Sequence, residues 1–277
     1  MSRLGKFDGV LLASDFDDTL LNSNLEVSRE NRDAIRYFME RGGRFSIATG
    51  RAHRAIAGLA KTIPMNAPAV LSNGSEVYDF REDKYLLRTY LPSSALEDCL
   101  EMMKAVPEIG FEVYHNDGIY AVNPNEITEM HMRRVGAEYA LSKPQEIPRP
   151  WSKVIFQQKT AVLERVEAYY KTRWPDKYEI IFSNRFLLEL TEKNSNKGKM
   201  VLFIANRLQI DNAHIYCIGD NKNDIPMLEI SAIPFAPSNA AEAVKAMGAR
   251  VVGSSDEHCI RDIVTILDGV YHEGPRH

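Results

Sequence analysis

The sequence predicts an α/β protein in which a doubly wound parallel sheet is interrupted by an inserted α+β segment. Three observations predict it. The first eighty residues alternate short apolar strands with amphipathic helices, the middle third switches to hairpins mixed with helices, and from Lys197 the alternation resumes. Strands joined by helices run parallel, because parallel neighbours need crossover connections.

In order, residues 10–14 form an apolar strand. Residues 28–41 carry Ala34, Ile35, Phe38 and Met39 on one helical face and stop at Gly42 and Gly43. Residues 44–49 make a second strand, and 51–63 repeat the helical pattern through Ala52, Ile56, Leu59, Ala60 and Ile63. Residues 69–72 make a third strand. Strands this uniformly apolar suit a sheet covered on both faces.

Residues 76–80 and 84–91 flank the polar turn Arg81-Glu82-Asp83. Residues 111–115 and 119–122 flank Asn116-Asp117-Gly118, a hairpin signal because glycine supplies the positive φ such turns need. Helical patterns follow at 94–106, 125–140 and 160–173, with strands at 153–157, 178–183 and 186–191. After the helix from Lys197 to Arg207 come strands at 214–219, 232–236 and 250–252, separated by helices beginning at Asp224 and Asn239, and then a final helix. The expected organisation is a discontinuous core, residues 1–85 and 191–277, with an α+β insert at 86–190.

At 277 residues and 44% hydrophobic, the chain has material for two modest domains. A net charge of −4, with no basic stretch interleaved with aromatics, argues against nucleic acid and anionic membrane as partners. The expected partner is a small molecule. The opening MSRLGKFDGV has no apolar segment of signal-peptide length, and no later run approaches the roughly 20 apolar residues of a membrane span, so a cytoplasmic protein is expected. No exposed apolar stripe stands out, which makes a monomer the expectation. Cys99, Cys217 and Cys259 are odd in number and lack Cys-x-x-Cys spacing, so they read as packing residues.

Ligands of parallel α/β sheets sit beyond the carboxyl ends of the strands. Four clusters fall there: Asp15-Phe16-Asp17-Asp18-Thr19, Ala48-Thr49-Gly50-Arg51, Ser72-Asn73-Gly74 and Gly219-Asp220-Asn221-Lys222-Asn223-Asp224. Alone, Asp-x-Asp-x-Thr is a weak signal. A second acidic cluster after another apolar strand makes it specific. Two carboxylates about 4 Å apart repel by about 4 kcal/mol at an effective dielectric near 20, so Asp15 and Asp220 share a site comfortably around a cation. Oxygen donors without Cys or His favour Mg²⁺. Asp15 can then attack phosphorus, with Asp17 lending its backbone carbonyl to the metal and its side chain to proton transfer. Thr49 offers a hydroxyl, Gly50 and Phe16 offer N–H groups, and a lysine near the start of the resumed core offers an ammonium for phosphate oxygens. Arg51 reads either as a solvated residue at a helix start or, because a cation is electrostatically unhelpful there, as a substrate contact, the reading favoured. Asn73-Gly74 reads either as a tight turn or as a substrate contact.

These motifs resemble the haloacid dehalogenase (HAD)-like phosphatase superfamily, in particular its Cof-type branch with a type IIB cap. DFDDTLL, FSIATGR, SNGSEVYD, FLLELTEKNSNKGKM and IGDNKNDIPML stand in that family's order along essentially the whole chain. The resemblance implies Asp15 as nucleophile and Mg²⁺ ligand, Asp17 as acid/base, Thr49 with Gly50 as phosphate binder and Asp220 as Mg²⁺ ligand. It also implies Asn223 as a phosphate contact and Asp224 as an acid behind the metal ligands. Lys193, Lys197 and Lys199 all stand near the family's lysine position, and Lys197 fits because Gly198 follows it. Asp18 departs from the family, which usually has glycine there. The insert would be a cap that closes over the core and sets specificity, with His115, Asn116, His131, Asn184 and Arg185 as polar residues able to face substrate.

The expected function is thus Mg²⁺-dependent hydrolysis of a small phosphomonoester, with sugar phosphates favoured, through an aspartyl-phosphate. Phosphomutase or phosphotransferase chemistry would use the same intermediate. A non-catalytic phosphate-sensing module would share Asp, Thr, Lys and Mg²⁺ but needs neither Asp17 nor a hundred-residue lid.

Overall fold

The computed structural model describes residues 5–116 and 118–272; Asp117 of the expected hairpin turn and the first four residues lie outside them. The chain begins with β1 (Leu11–Asp15), α1 (Arg29–Glu40), β2 (Arg44–Ala48), α2 (His53–Ala60) and β3 (Ala69–Leu71). The β4 (Glu76–Asp79) and β5 (Lys84–Arg88) hairpin follows. Next come α3 (Ala95–Ala105), β6 (Gly110–His115), β7 (Gly118–Val122), α4 (Glu126–Val135), β8 (Ala140–Leu141), β9 (Lys153–Gln157), α5 (Thr160–Arg173), β10 (Tyr178–Asn184) and β11 (Leu187–Glu192). The chain closes with α6 (Lys197–Arg207), β12 (Ile215–Ile218), α7 (Ile225–Glu229), β13 (Pro234–Pro237), α8 (Glu242–Lys245), β14 (Arg250–Val252) and α9 (Cys259–Val270).

Two sheets result. The first has the order β14-β13-β12-β1-β2-β3-β4-β5. It is parallel from β14 to β3, while β4 and β5 add an antiparallel edge. Its two faces are both covered, as the apolar strands require: Leu11 and Ala13 pack with Ile215, Cys217, Val201 and Ile204 on one side, while Leu12 packs with Phe45, Ile47, Phe38 and Ile263 on the other. The fold class is therefore the α/β arrangement expected.

The second sheet has the order β10-β11-β9-β6-β7-β8 and is antiparallel except where β8 joins β7. Helices α3 and α5 bury their apolar faces against it through Cys99, Met102, Leu163, Val166 and Tyr170, which meet Phe111, Val113, Val154 and Phe156. The chain leaves the first sheet after Arg88 and leaves the second after Glu192. The two connections run side by side, with the hydroxyls of Thr89 and Ser195 2.8 Å apart.

Local chemistry sets the boundaries. Ser28 caps α1, its hydroxyl accepting from the Asn31 N–H, and Gly42 leaves the helix at φ +93°. The expected helix at 125–140 is shorter than its apolar spacing implied. Asn125 and Thr128 form a capping box at the start of α4, and Gly136, left-handed at φ +63°, ends it. The helix expected from Asn239 is reduced to the single turn of α8, because the Asn239 side chain is bonded to the Asp18 carbonyl and the Ser255 N–H. All three cysteines are buried and unpaired. Among the described residues, no helix is long and apolar enough to cross a membrane.

Candidate active site

β1 lies between β2 and β12, so the loops after those three strands open at one end of the sheet. Asp15 is the last residue of β1, and the chain turns sharply after it, Asp17 staying extended while Asp18 takes φ +58°. That left-handed conformation is one glycine adopts most readily. Aspartate is among the few other residues that tolerate it. The Asp18 side chain points out and receives Arg134 Nη2 at 2.8 Å.

Residues far apart in sequence meet here. Carboxylate oxygens of Asp15, Asp220 and Asp224 all lie within 4.8 Å of one another. Lys197, at the start of α6 and wholly buried, spans two of them, with Nζ 2.5 Å from Asp15 Oδ1 and 2.6 Å from Asp224 Oδ1. Lys193 instead bonds the Pro175 carbonyl and Lys199 bonds Asn194, so neither of the other two lysines shares this contact. A Cβ on Gly198 would come within 2.1 Å of the Pro226 carbonyl oxygen, so glycine is what lets α6 approach this closely.

Asp224 has both oxygens engaged, Oδ1 by Lys197 and Oδ2 by the N–H groups of Asp220 and Asn221. It therefore braces the loop and Lys197. Asp220 receives the Thr19 hydroxyl at 3.2 Å, across 201 positions of sequence. This explains the threonine of the first motif.

The electrostatics follow from crowding acids in a dry place. Burial, then repulsion from Asp224, pushes the Asp15 carboxyl well above its ordinary value, although Lys197 pulls it back. Burial and Asp224 likewise push Asp220 up to about 7, again against Lys197. Burial works to neutralise Lys197, but Asp15 and Asp224 outweigh it and hold the ammonium above its usual range. One ammonium does not balance three carboxylates. The oxygen-only donor set and the residual negative charge fit a hard divalent cation held by Asp15 and Asp220.

Around this centre the loop after β2 supplies the next groups. Thr49 is fully buried, and its hydroxyl accepts from the Arg51 N–H, which leaves its own proton to donate. Gly50 sits so close to Asn73 that an added Cβ would lie 3.1 Å from Asn73 Nδ2. The Phe16 ring is buried in the core, leaving its backbone at the loop. Arg51 lines the cleft, and its guanidinium grips both oxygens of Asp17, at 2.9 and 2.6 Å. Asn223 Nδ2 donates to Asn73 Oδ1 at 3.0 Å. Asn73 Nδ2 and Asn223 Oδ1 are buried with no partner among the described residues. An orphan donor beside Gly50 suits an oxyanion.

The second sheet faces these loops across a cleft of about 1200 Å³, counting the part open to solvent. Lys153 Nζ reaches over to donate to the Gly50 carbonyl at 2.8 Å and pairs with Glu189 at 3.1 Å, both side chains buried. Of the polar residues expected in the insert, Asn116, His131 and Asn184 line the cleft. His115 bonds the Pro150 carbonyl and Arg185 lies over the Phe186 ring. In the sequence Lys153, Glu189 and Arg134 carry no mark of a role, and Asn73-Gly74 fits a tight turn as well as a substrate contact. A lysine opening KVIFQ carries no signal of burial.

A family model described as haloacid dehalogenase-like hydrolase matches residues 12–264. The chloroplastic endoribonuclease YBEY of Arabidopsis thaliana is 28% identical over 266 residues, 90% of this chain, but the chain spans only 45% of that protein. The 5-amino-6-(5-phospho-D-ribitylamino)uracil phosphatase YwtE of Bacillus subtilis strain 168 is 25% identical over 288 residues, covering 94% of this chain and 99% of the other. Among solved structures, a sugar phosphatase of HAD subclass IIB superposes with a TM-score of 0.82 at 19% identity, over 94% of this chain and 99% of its own, a likeness of fold.

Proposed function

The chain belongs to the haloacid dehalogenase-like hydrolase family, and on that premise we propose that it is a Mg²⁺-dependent phosphatase of small phosphorylated metabolites, sugar or polyol phosphates above all. One observation carries the reading: Asp15, Asp220 and Asp224 gather within 4.8 Å, with Lys197 bridging Asp15 and Asp224. The names of the Bacillus phosphatase and of the sugar phosphatase with the same fold support the substrate class.

In this mechanism Asp15 attacks the phosphorus of the bound monoester, forming an aspartyl-phosphate as the ester oxygen leaves. Asp17 gives that oxygen a proton, then takes one from the water that attacks the aspartyl-phosphate, returning Asp15 and releasing phosphate. Arg51 holds Asp17 in place and lets go of one oxygen for each transfer. The phosphate oxygens are met by the Thr49 hydroxyl, the N–H groups of Gly50 and Phe16, the Lys197 ammonium and the Asn73 and Asn223 amides. Mg²⁺, held by the side chains of Asp15 and Asp220 and the backbone of Asp17, would offset repulsion between the two anions. Residues 86–190 act as the cap, with Lys153 and Arg134 tying it to the loops beneath.

Hydrolysis of p-nitrophenyl phosphate and of a metabolite panel, at several Mg²⁺ concentrations, tests this. Asp15→Asn and chelation by EDTA should each reduce turnover by at least about 10³-fold. Turnover that survives both refutes the reading.

A further inference from the structure

The cap carries a second polar centre, separate from the carboxylate cluster, on the opposite wall of the cleft. Glu112, in the middle of β6, is fully buried yet ionisable. Its carboxylate is surrounded by donors: His131 Nδ1 at 3.1 Å and the Gln157 amide on Oε1, and the Tyr114 hydroxyl at 2.9 Å on Oε2. Gln157 is fixed in turn by the Thr128 hydroxyl at 2.6 Å. With Glu112 ionised its carboxylate only accepts, so the 3.1 Å contact puts a proton on His131 Nδ1; the Gln157 amide, 3.4 Å from that nitrogen, is engaged more closely by Glu112. The other ring nitrogen, Nε2, has no protein partner among the described residues, and His131 lines the cleft. Arg134, one turn along the same helix face, reaches down to Asp18, so α4 is held with this face over the loops of the core.

We propose that His131 is a specificity-determining residue whose Nε2 accepts a hydrogen bond from a hydroxyl of the leaving group, with Glu112 as the residue that positions the ring. This rests on the phosphatase reading above. The cost of burying Glu112 is offset by its three donors, and the same contacts fix the orientation of the imidazole. The charges around the cleft are largely committed to one another: Glu76 pairs with Arg88, Glu189 with Lys153, Arg51 with Asp17 and Arg134 with Asp18, while Glu138 and Arg54 are exposed. A neutral hydroxyl of the ligand adds no charge to that balance.

Two substitutions separate the roles of the two ring nitrogens. His131→Asn keeps an N–H near Nδ1 for Glu112 but removes the group at Nε2, whereas His131→Gln places an amide oxygen near Nε2. The experiment measures kcat and KM of the full chain on glycerol, tetrose, pentose and hexose phosphates, with phenyl phosphate as a leaving group that has no further hydroxyl. His131→Asn should raise KM for the hydroxyl-bearing esters about tenfold more than for phenyl phosphate, the size of one neutral hydrogen bond, and His131→Gln should recover part of that difference. Glu112→Gln should show the same selective rise in KM, with kcat on phenyl phosphate checking that the site is intact. Equal losses on all substrates, or no change on any, overturn the proposal while leaving the phosphatase reading in place. A wild-type protein that hydrolyses none of these esters overturns the reading beneath it, and the proposal with it.

Discussion

Asp220 shows how a single carboxylate couples the site to stability. Its pKa in the folded protein is about 7 against an ordinary 3.8, so between those values the folded state holds a proton that the unfolded chain has released. Folding of the metal-free protein is therefore favoured below about pH 4 and loses that contribution as pH rises through 7. A divalent cation that binds the ionised form competes with the proton. The thermal stabilisation given by Mg²⁺ over EDTA should be larger at pH 8 than at pH 5, as read by a thermal melt in each buffer. Residues such as Asp15, Asp17, Thr49 and Asp220 were legible because each follows an apolar strand in a characteristic motif. Asn73 was ambiguous, since Asn-Gly is also an ordinary turn, and Lys153 and Glu189 were hidden. They pair across neighbouring strands of the second sheet, and Lys153 meets Gly50 only because the two sheets approach one another, which no local pattern records.

Among the elements, boundaries were legible wherever a local cap set them and blurred wherever a tertiary contact did. Helix α5 and strand β9 fall where periodicity put them. Helix α4 does not: apolar spacing continued to residue 140, but Gly136 ends the helix at a left-handed backbone. Nothing lies within 4 Å of a Cβ placed on Gly136, so Gly136→Ala tests the backbone alone. It should cost about 1 kcal/mol, seen as a lower urea midpoint with an unchanged slope. In the same way α8 is short because Asn239 is committed to Asp18 and Ser255, partners that only the folded chain brings near.

At the scale of the molecule, the bond from Lys153 to the Gly50 carbonyl ties the second sheet to the first, while Glu189 on the neighbouring strand of the second sheet holds the ammonium. Lys153→Met strands a buried carboxylate and should destabilise the protein by about 3 to 5 kcal/mol. Adding Glu189→Leu should recover most of that loss, and a double-mutant cycle in urea checks the coupling. The doubly wound architecture was legible because four strands of the first sheet, β2, β12, β13 and β14, have a helix on either side; the antiparallel edge of β4 and β5 was legible only as a hairpin, with no signal for the sheet it would join. The placement of β1 between β2 and β12 has a consequence for biosynthesis. On the ribosome, β1 and β2 emerge early, but the other flank of β1 stays bare until some two hundred further residues have been translated. Asp15 is thus among the first groups made and Asp220 and Asp224 among the last, so the carboxylate cluster cannot assemble on a nascent chain until its final third has folded.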